Sequence, residues 1–299
     1  MPRNNDDDFE PRPRRGRYED DDERDLPPPR KSSNVGVILL IVGGVLLLVC
    51  GGGGALMIWG IRSAAKNVQQ NMAQMAKEME EQQQTAESRA NLNRIGVAMH
   101  AYNDEKGALP NNSYEQRGRQ SRPLLSWRVH ILPYLGHGEL YKKFNLNEPW
   151  DSPTNRPQVV QMPGVYAATD TRANAGVGRT YYRGFSHPGA IFEKPRNPGD
   201  QVPRVSLQAI LDGTANTIFV VDAGEAIEWT KPEDIDWSPG RPRPTLGGAY
   251  PNLTYCLVLF ASGEVREMRK AVPDQTLRNL IDRQDGNVIP DDWEHFDDR

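Results

Sequence analysis

ANLNRIGVAMHAYNDEKGALP, residues Ala90–Pro110, carries its large apolar side chains at Leu92, Ile95, Met99 and Tyr102. Spacings of three, four and three residues put them on one face of a helix, the face that docks on a core. Gly107 and Pro110 close the pattern. Beyond them the chain changes character, to short runs rich in Val, Tyr, Phe and Ile that are broken by Pro and Gly. Gln158–Ala168, Arg179–Phe185, Thr217–Ala223, Leu253–Ala261 and Glu264–Arg269 read as strands. Leu124–Leu135 with Gly138–Phe144 reads as an interrupted helix, and Ser206–Leu211 and Asp274–Arg283 as short helices. One long helix followed by mostly antiparallel strands predicts an α+β domain over residues 90–290, with residues 291–299 as an acidic tail.

Upstream, the helical pattern reaches back without proline from Asp104 to Ile61. Residues 60–89 form a predicted neck. Val68, Met72, Met75 and Met79 share one of its faces, a stripe suited to self-association as a coiled coil. Before the neck, VGVILLIVGGVLLLVCGGGGALMIW (Val35–Trp59) carries no charge. As a helix of about 25 residues it rises roughly 37 Å, enough to cross a hydrocarbon core of about 30 Å. It is too long for the h-region of a cleaved signal peptide, and Trp59 suits an interfacial anchor. Val49 before Cys50 does not suit a lipoprotein signal, which wants a small residue there. The expected fold is therefore an N-terminal transmembrane helix (35–59) continuing into a long helix that packs on the sheet.

Residues 1–34 combine charge blocks with proline and read as a disordered tail. Arg24, Arg30 and Lys31 lie close before the span, with Arg12, Arg14, Arg15 and Arg17 further out, against Arg62 and Lys66 after it. This bias places the tail in the cytoplasm and the main domain outside it, at the cytoplasmic membrane. With 36 basic and 40 acidic residues the net charge is −4, which implies no nucleic-acid partner. Of the two cysteines, Cys50 lies at membrane depth and Cys256 in a strand, so no disulfide joins them.

Four stretches carry a resemblance: Ala90–Pro110, LSWRVHILPYLGHGELYKKFNLNEPWDSPTN (Leu125–Asn155), ILDGTANTIFVVDAG (Ile210–Gly224) and WTKPEDI (Trp229–Ile235). Together they resemble the DUF1559 family, abundant in planctomycete bacteria, over roughly Ala86 to Val288. The resemblance implies a pseudopilin-like α+β fold, an apolar N-terminal helix running into a sheet-bearing head, and a planctomycete source. The chain departs from the family pattern in two places. Its span lacks the Gly and the Phe-Thr-Leu-Ile-Glu-like start of a prepilin signal. Near the C-terminus FASGEVREM has Ser262 where the family's Asp-Gly motif has its aspartate, with no suitably placed upstream histidine.

No catalytic constellation emerges, and no cofactor or metal is expected. The histidines (His100, His130, His137, His187, His295) are scattered. His130 and His137, seven apart on an expected helix, lie about 10 Å apart along its axis, too far to share a zinc ion. No G-x-S-x-G, H-E-x-x-H, P-loop or G-x-G-x-x-G pattern is present. Asp222 and Glu225 at the end of a strand suit an acid/base pair, or equally a turn residue and a solvated charge. Trp150, Trp229 and Trp237 suit a platform for a glycan or peptide, or equally plugs beneath loops. The expected role is a non-catalytic, membrane-anchored structural or interaction domain at the cell envelope, related by its resemblance to secretion. The alternatives are a glycan-, peptide- or protein-binding module using the tryptophans, and an envelope hydrolase using the two carboxylates.

Overall fold

The computed structural model describes residues 54–117, 120–168, 176–197 and 200–294. Its longest element is helix α1, Gly54–Lys106, which extends the expected helix at both ends. Alanine, glutamine, methionine and glutamate are prominent in it and no proline interrupts it, so local preference and structure agree. Gly107 ends it. At φ 68° its N–H bonds the Asn103 carbonyl at 2.8 Å, a left-handed cap that a side chain would strain. Two compact units divide within this helix, one ending at Gln70 and the other starting at Asn71.

Among the described residues no helix is long and apolar enough to cross a membrane. The expected span, residues 35–59, lies outside the described residues as far as Gly53, as do the expected tail, residues 1–34, and Cys50. From Ala64 to Gln83 every side chain whose burial is described is exposed. Burial begins at Thr85 and Ser88 and continues through Leu92, Ile95 and Met99, the last three at 0% exposure. Full burial of each such side chain contributes about 1.5–3 kcal/mol. Gly96 lets the helix come close to the sheet, since a Cβ there would stand 3.0 Å from Leu259 Cδ1.

After α1 come a hairpin of β1 (Tyr114–Arg117) and β2 (Gln120–Pro123), helix α2 (Trp127–His130), a 3₁₀ turn at Leu132–Leu135, and helix α3 (Gly138–Tyr141). The main sheet follows: β3 (Arg179–Arg183), β4 (Ile218–Glu228), β5 (Tyr255–Phe260) and β6 (Val265–Arg269), antiparallel in the order β3-β4-β5-β6. Helix α4, Asp274–Ile281, comes last. Along β5, Leu257 and Leu259 join α1 and Trp127 in one core. Cys256, Val258 and Phe260 join Leu277, Leu280 and Ile281 of α4 in another. Alternate side chains thus enter layers on opposite faces, which is why YCLVLF is apolar throughout.

One expectation needs correction, and two further features go beyond what the sequence suggests. Gln158–Ala168 is no strand but two 3₁₀ turns, Arg156–Gln161 and Gly164–Tyr166. Pro157 and Pro163 remove ladder donors there, and Val159, Val165 and Tyr166 enter the core singly. The β1–β2 hairpin was not expected, because YEQR and QSRP show no apolar alternation. Of the expected acidic tail, residues 291–299, the described part ends at Glu294 and packs on the head. Trp293 is 5% exposed, its ring lies 5.3 Å from Phe260, its carbonyl accepts the Arg269 N–H at 2.9 Å, and Glu294 bridges Met268.

A buried ion pair ties the segments together. Arg128 and Asp234, both with fully buried side chains, meet at 3.3 Å. Arg128 Nε donates to the Tyr182 carbonyl at 2.9 Å and Nη1 to Ser126 Oγ at 2.6 Å. Asp234 accepts from Asn112 Nδ2 at 2.7 Å, Gly184 N at 3.0 Å and Trp127 Nε1 at 3.3 Å. Burial alone would raise the carboxyl's pKa, but the Arg128 charge and these hydrogen bonds outweigh it and hold Asp234 below the usual aspartate range. Removing one partner leaves a buried charge uncompensated. Asp234→Ala should therefore lower stability by about 3–5 kcal/mol in denaturant unfolding, well beyond what an exposed pair such as Lys142–Glu139 carries.

Candidate binding cleft

The end of α1 carries Tyr102 and Lys106 to the surface beside the α2–α3 region. Ser126 caps α2 by accepting the Arg128 N–H at 3.3 Å, and His130 is the last residue of that helix. Gly136, at φ 80°, closes the following 3₁₀ turn, so the chain folds back and Tyr134 and Tyr141 face the end of α1. Tyr102 and Tyr134 meet edge to face at 5.6 Å. Across the cleft, residues 202–207 are strapped to the end of α1. Arg204 Nη2 donates to the Lys106 carbonyl at 2.8 Å, Leu207 N to Asn103 Oδ1 at 3.2 Å, and Leu109 N to the Val205 carbonyl at 2.7 Å.

Two adjoining depressions result, of about 570 Å³ and about 400 Å³, and Tyr102, Lys106 and His130 border both. Each falls in the range of roughly 300–1,000 Å³ usual for small-molecule sites. The larger is also lined by Tyr114, Asn111 and Arg204, the smaller by Tyr134, Tyr141 and Glu105.

One polar atom of the lining residues, His130 Nε2, is buried without a hydrogen-bond partner among the described residues, while the buried Tyr114 hydroxyl interacts with the Asn112 side chain. An unmet buried polar group costs about 1–3 kcal/mol, and a ligand with complementary groups recovers it. Burial pushes the His130 pKa down to about 4, so the ring is neutral at pH 7. Burial raises Tyr102, against the opposing charges of Lys106 and Arg204. Tyr134 is pushed up to about 12 by burial and by its 2.8 Å hydrogen bond to Glu105 Oε2. The phenols are therefore protonated donors at neutral pH. Lys106 Nζ rests 2.7 Å from Glu105. Arg204 has only a carbonyl as hydrogen-bond partner among the described residues.

The three tryptophans form no exposed platform. Trp229 is fully buried, stacked on Tyr166 with centroids 5.7 Å apart, and its Nε1 donates to the Val159 carbonyl at 2.9 Å. Trp237, 1% exposed, lies beneath the Arg278 guanidinium at 3.8 Å. Trp150 alone is half-buried, with Arg156 and Lys231 over its ring at 5.4 and 5.8 Å. Asp222 and Glu225 are not brought together either: Asp222 is fully buried and accepts the Ala249 N–H at 3.2 Å, whereas Glu225 is exposed. His130 and His137 do not share a helix, since the 3₁₀ turn separates α2 from α3. Among the described residues no group of three His, Cys, Asp or Glu side chains is placed to hold a metal ion. Cys256 is buried, its thiol pKa driven well up by burial and by the Asp222 charge.

Sequence reasoning did not single out Tyr102, Tyr114, Tyr134, Tyr141, Lys106 or Arg204 as a site. The one local signal was His130, Tyr134 and Tyr141 in HILPYLGHGELY, with two tyrosines seven residues apart on the same face of a turn-broken segment.

The family model described as "Protein of unknown function (DUF1559)" matches residues 85–286. The chain belongs to the DUF1559 family. The matched region starts where α1 becomes buried and contains the Arg128–Asp234 pair and the whole cleft. Neither the curated proteins nor the solved structures yield a match. In this DUF1559 protein the family stretch LSWRVHILPYL supplies both the buried arginine and the cleft histidine, while WTKPEDI supplies Asp234.

His130 gives the domain a pH signature. Its folded pKa lies below the unfolded value near 6.5, so the unfolded chain takes up the proton first as pH falls. Stability is complete above about pH 6.5 and declines toward pH 4, by roughly 2–3 kcal/mol from this group. The lowered Asp234 adds a further loss below its ordinary range. His130→Gln should make the pH 6.5–4 part of the curve in urea unfolding shallower, leaving the share of His187, which burial also lowers, and the more acidic part unchanged.

Proposed function

We propose that this DUF1559 protein is a membrane-tethered, extracytoplasmic binding module of the cell envelope, without a catalytic role, which holds a small ligand in the tyrosine-walled cleft. The observation that carries the reading is a concave site lined by aromatic rings and bordered by Lys106 and Arg204, in which His130 Nε2 is buried without a partner among the described residues. An unmet polar atom in such a place is a ready partner for a ligand. The tether rests on the uncharged stretch Val35–Trp59 and on the excess of Arg and Lys before it. The docking of Leu92, Ile95 and Met99 of α1 on the sheet supports a pseudopilin-like head. Val68, Met72, Met75 and Met79, each between 58% and 71% exposed, favour pairing of this helix with a second copy of the chain.

Two measurements test the reading. In cells the full chain should stay in the membrane pellet through an alkaline wash, and protease added to spheroplasts should digest the head but spare an N-terminal tag. With purified full chain labelled with 3-fluorotyrosine, resonances assigned through Tyr102→Phe and Tyr141→Phe should move when a library of small polar fragments is added. If the chain appears in the aqueous fraction, the tether falls. If no fragment moves those resonances, the cleft falls as a binding site.

A further inference from the structure

We infer that the ligand of the cleft is an acidic saccharide, a short chain of pyranose units bearing a carboxylate or sulfate group. The inference rests on the cleft being a binding site and goes further by naming the class of ligand.

Three features of the site each select one part of such a molecule. The first is aromatic. Tyr102, Tyr134 and Tyr141 present half-buried rings around one depression, with Tyr102 and Tyr134 fixed edge to face. Ring faces hold the C–H faces of a pyranose, and their hydroxyls stay available as donors. The second is polar depth. His130 Nε2, unpaired among the described residues, and the Tyr114 hydroxyl beside it are best met by groups that both donate and accept. A sugar hydroxyl does both, whereas an aliphatic or aromatic peptide anchor would leave these atoms unmet.

The third feature is charge. Lys106 and Arg204 both line the larger depression, and Glu105 next to Lys106 supplies the opposing charge on that side. Arg204 forms no ion pair with a carboxylate among the described residues. Its guanidinium is anchored through Nη2 to the Lys106 carbonyl, which leaves the other donors of its fork for an anion. Two depressions on either side of Tyr102, Lys106 and His130 suit more than one sugar unit. A nucleotide would also meet rings and cations, but among the described residues no helix N-terminus or glycine-rich turn lines either depression to hold a phosphate.

The test is calorimetric titration of the full chain in lipid nanodiscs with tri-galacturonate, neutral maltotriose and uridine monophosphate. Tri-galacturonate should bind about tenfold more tightly than maltotriose, the gain expected of one charge-assisted contact. Arg204→Gln, a change at an exposed residue, should remove most of that preference without weakening maltotriose. Tyr141→Ala should weaken both sugars, with an unchanged far-UV spectrum and melting curve as the check on folding. Equal affinity for the two sugars, tighter binding of uridine monophosphate, or an Arg204→Gln variant that keeps the full preference would each overturn the inference. If neither sugar binds while polar fragments still move the Tyr102 and Tyr141 resonances, the ligand class is wrong and the binding site stands. If nothing moves them, both fall together.

Discussion

Arg128 and Asp234 meet in the interior, where each regains from the other and from fixed hydrogen bonds what it loses in leaving water. The groups that satisfy them come from every part of the folded head: Asn112 just before the β1–β2 hairpin, Ser126 and Trp127 at the start of α2, the Tyr182 carbonyl on β3, and the Gly184 amide just after it. A charge pair at this depth is a poor source of net stability but a strict demand on geometry. Any other packing of these segments would strand a charge. Gly184 shows how tight the fit is, since a Cβ there would overlap the Phe192 ring at 2.0 Å, and that ring is stacked on Trp127 at 5.0 Å.

The cleft inherits its form from this constraint. His130 lies two residues beyond Arg128, so fixing the guanidinium also fixes the helical turn that carries the imidazole. The Tyr166 hydroxyl donates to the Arg128 carbonyl at 2.7 Å and anchors the same turn from the other side. The end of α1 is set independently by Leu92, Ile95 and Met99 against the sheet. Two rigid supports therefore meet at the cleft. Tyr102, Tyr134 and Tyr141 stand on helical or 3₁₀ residues, which limits how far the site must reorganise when it is filled.

What could be read beforehand divides along physical lines. The docking face of α1 was legible because a period near 3.6 survives in any context. The strands YCLVLF and IFVV were legible because burial on both faces makes them apolar throughout. Gln158–Ala168 misled because valine and tyrosine suit a strand and a plug equally well, and only the two prolines argued otherwise. The tryptophans pointed to aromatic recognition, yet Trp229 and Trp237 serve the core, and the half-buried rings of the cleft belong to tyrosines. The cleft itself could not be seen along the chain. Tyr102 and Arg204 are brought together only by the strap onto α1, and an unmet nitrogen on His130 is a property of packing, not of spacing.

The C-terminal segment has a consequence for assembly. β6 is the last strand of the sheet, and an uncovered outer strand offers its backbone to a neighbouring molecule. Here Glu294 bridges to Met268, the Trp293 carbonyl takes up the Arg269 amide, and Arg266 lies between the Phe260 and Trp293 rings at 4.6 and 5.5 Å. Trp293 and Glu294 thus occupy the margin of β6 at Met268 and Arg269, and a truncation before Trp293 would uncover it.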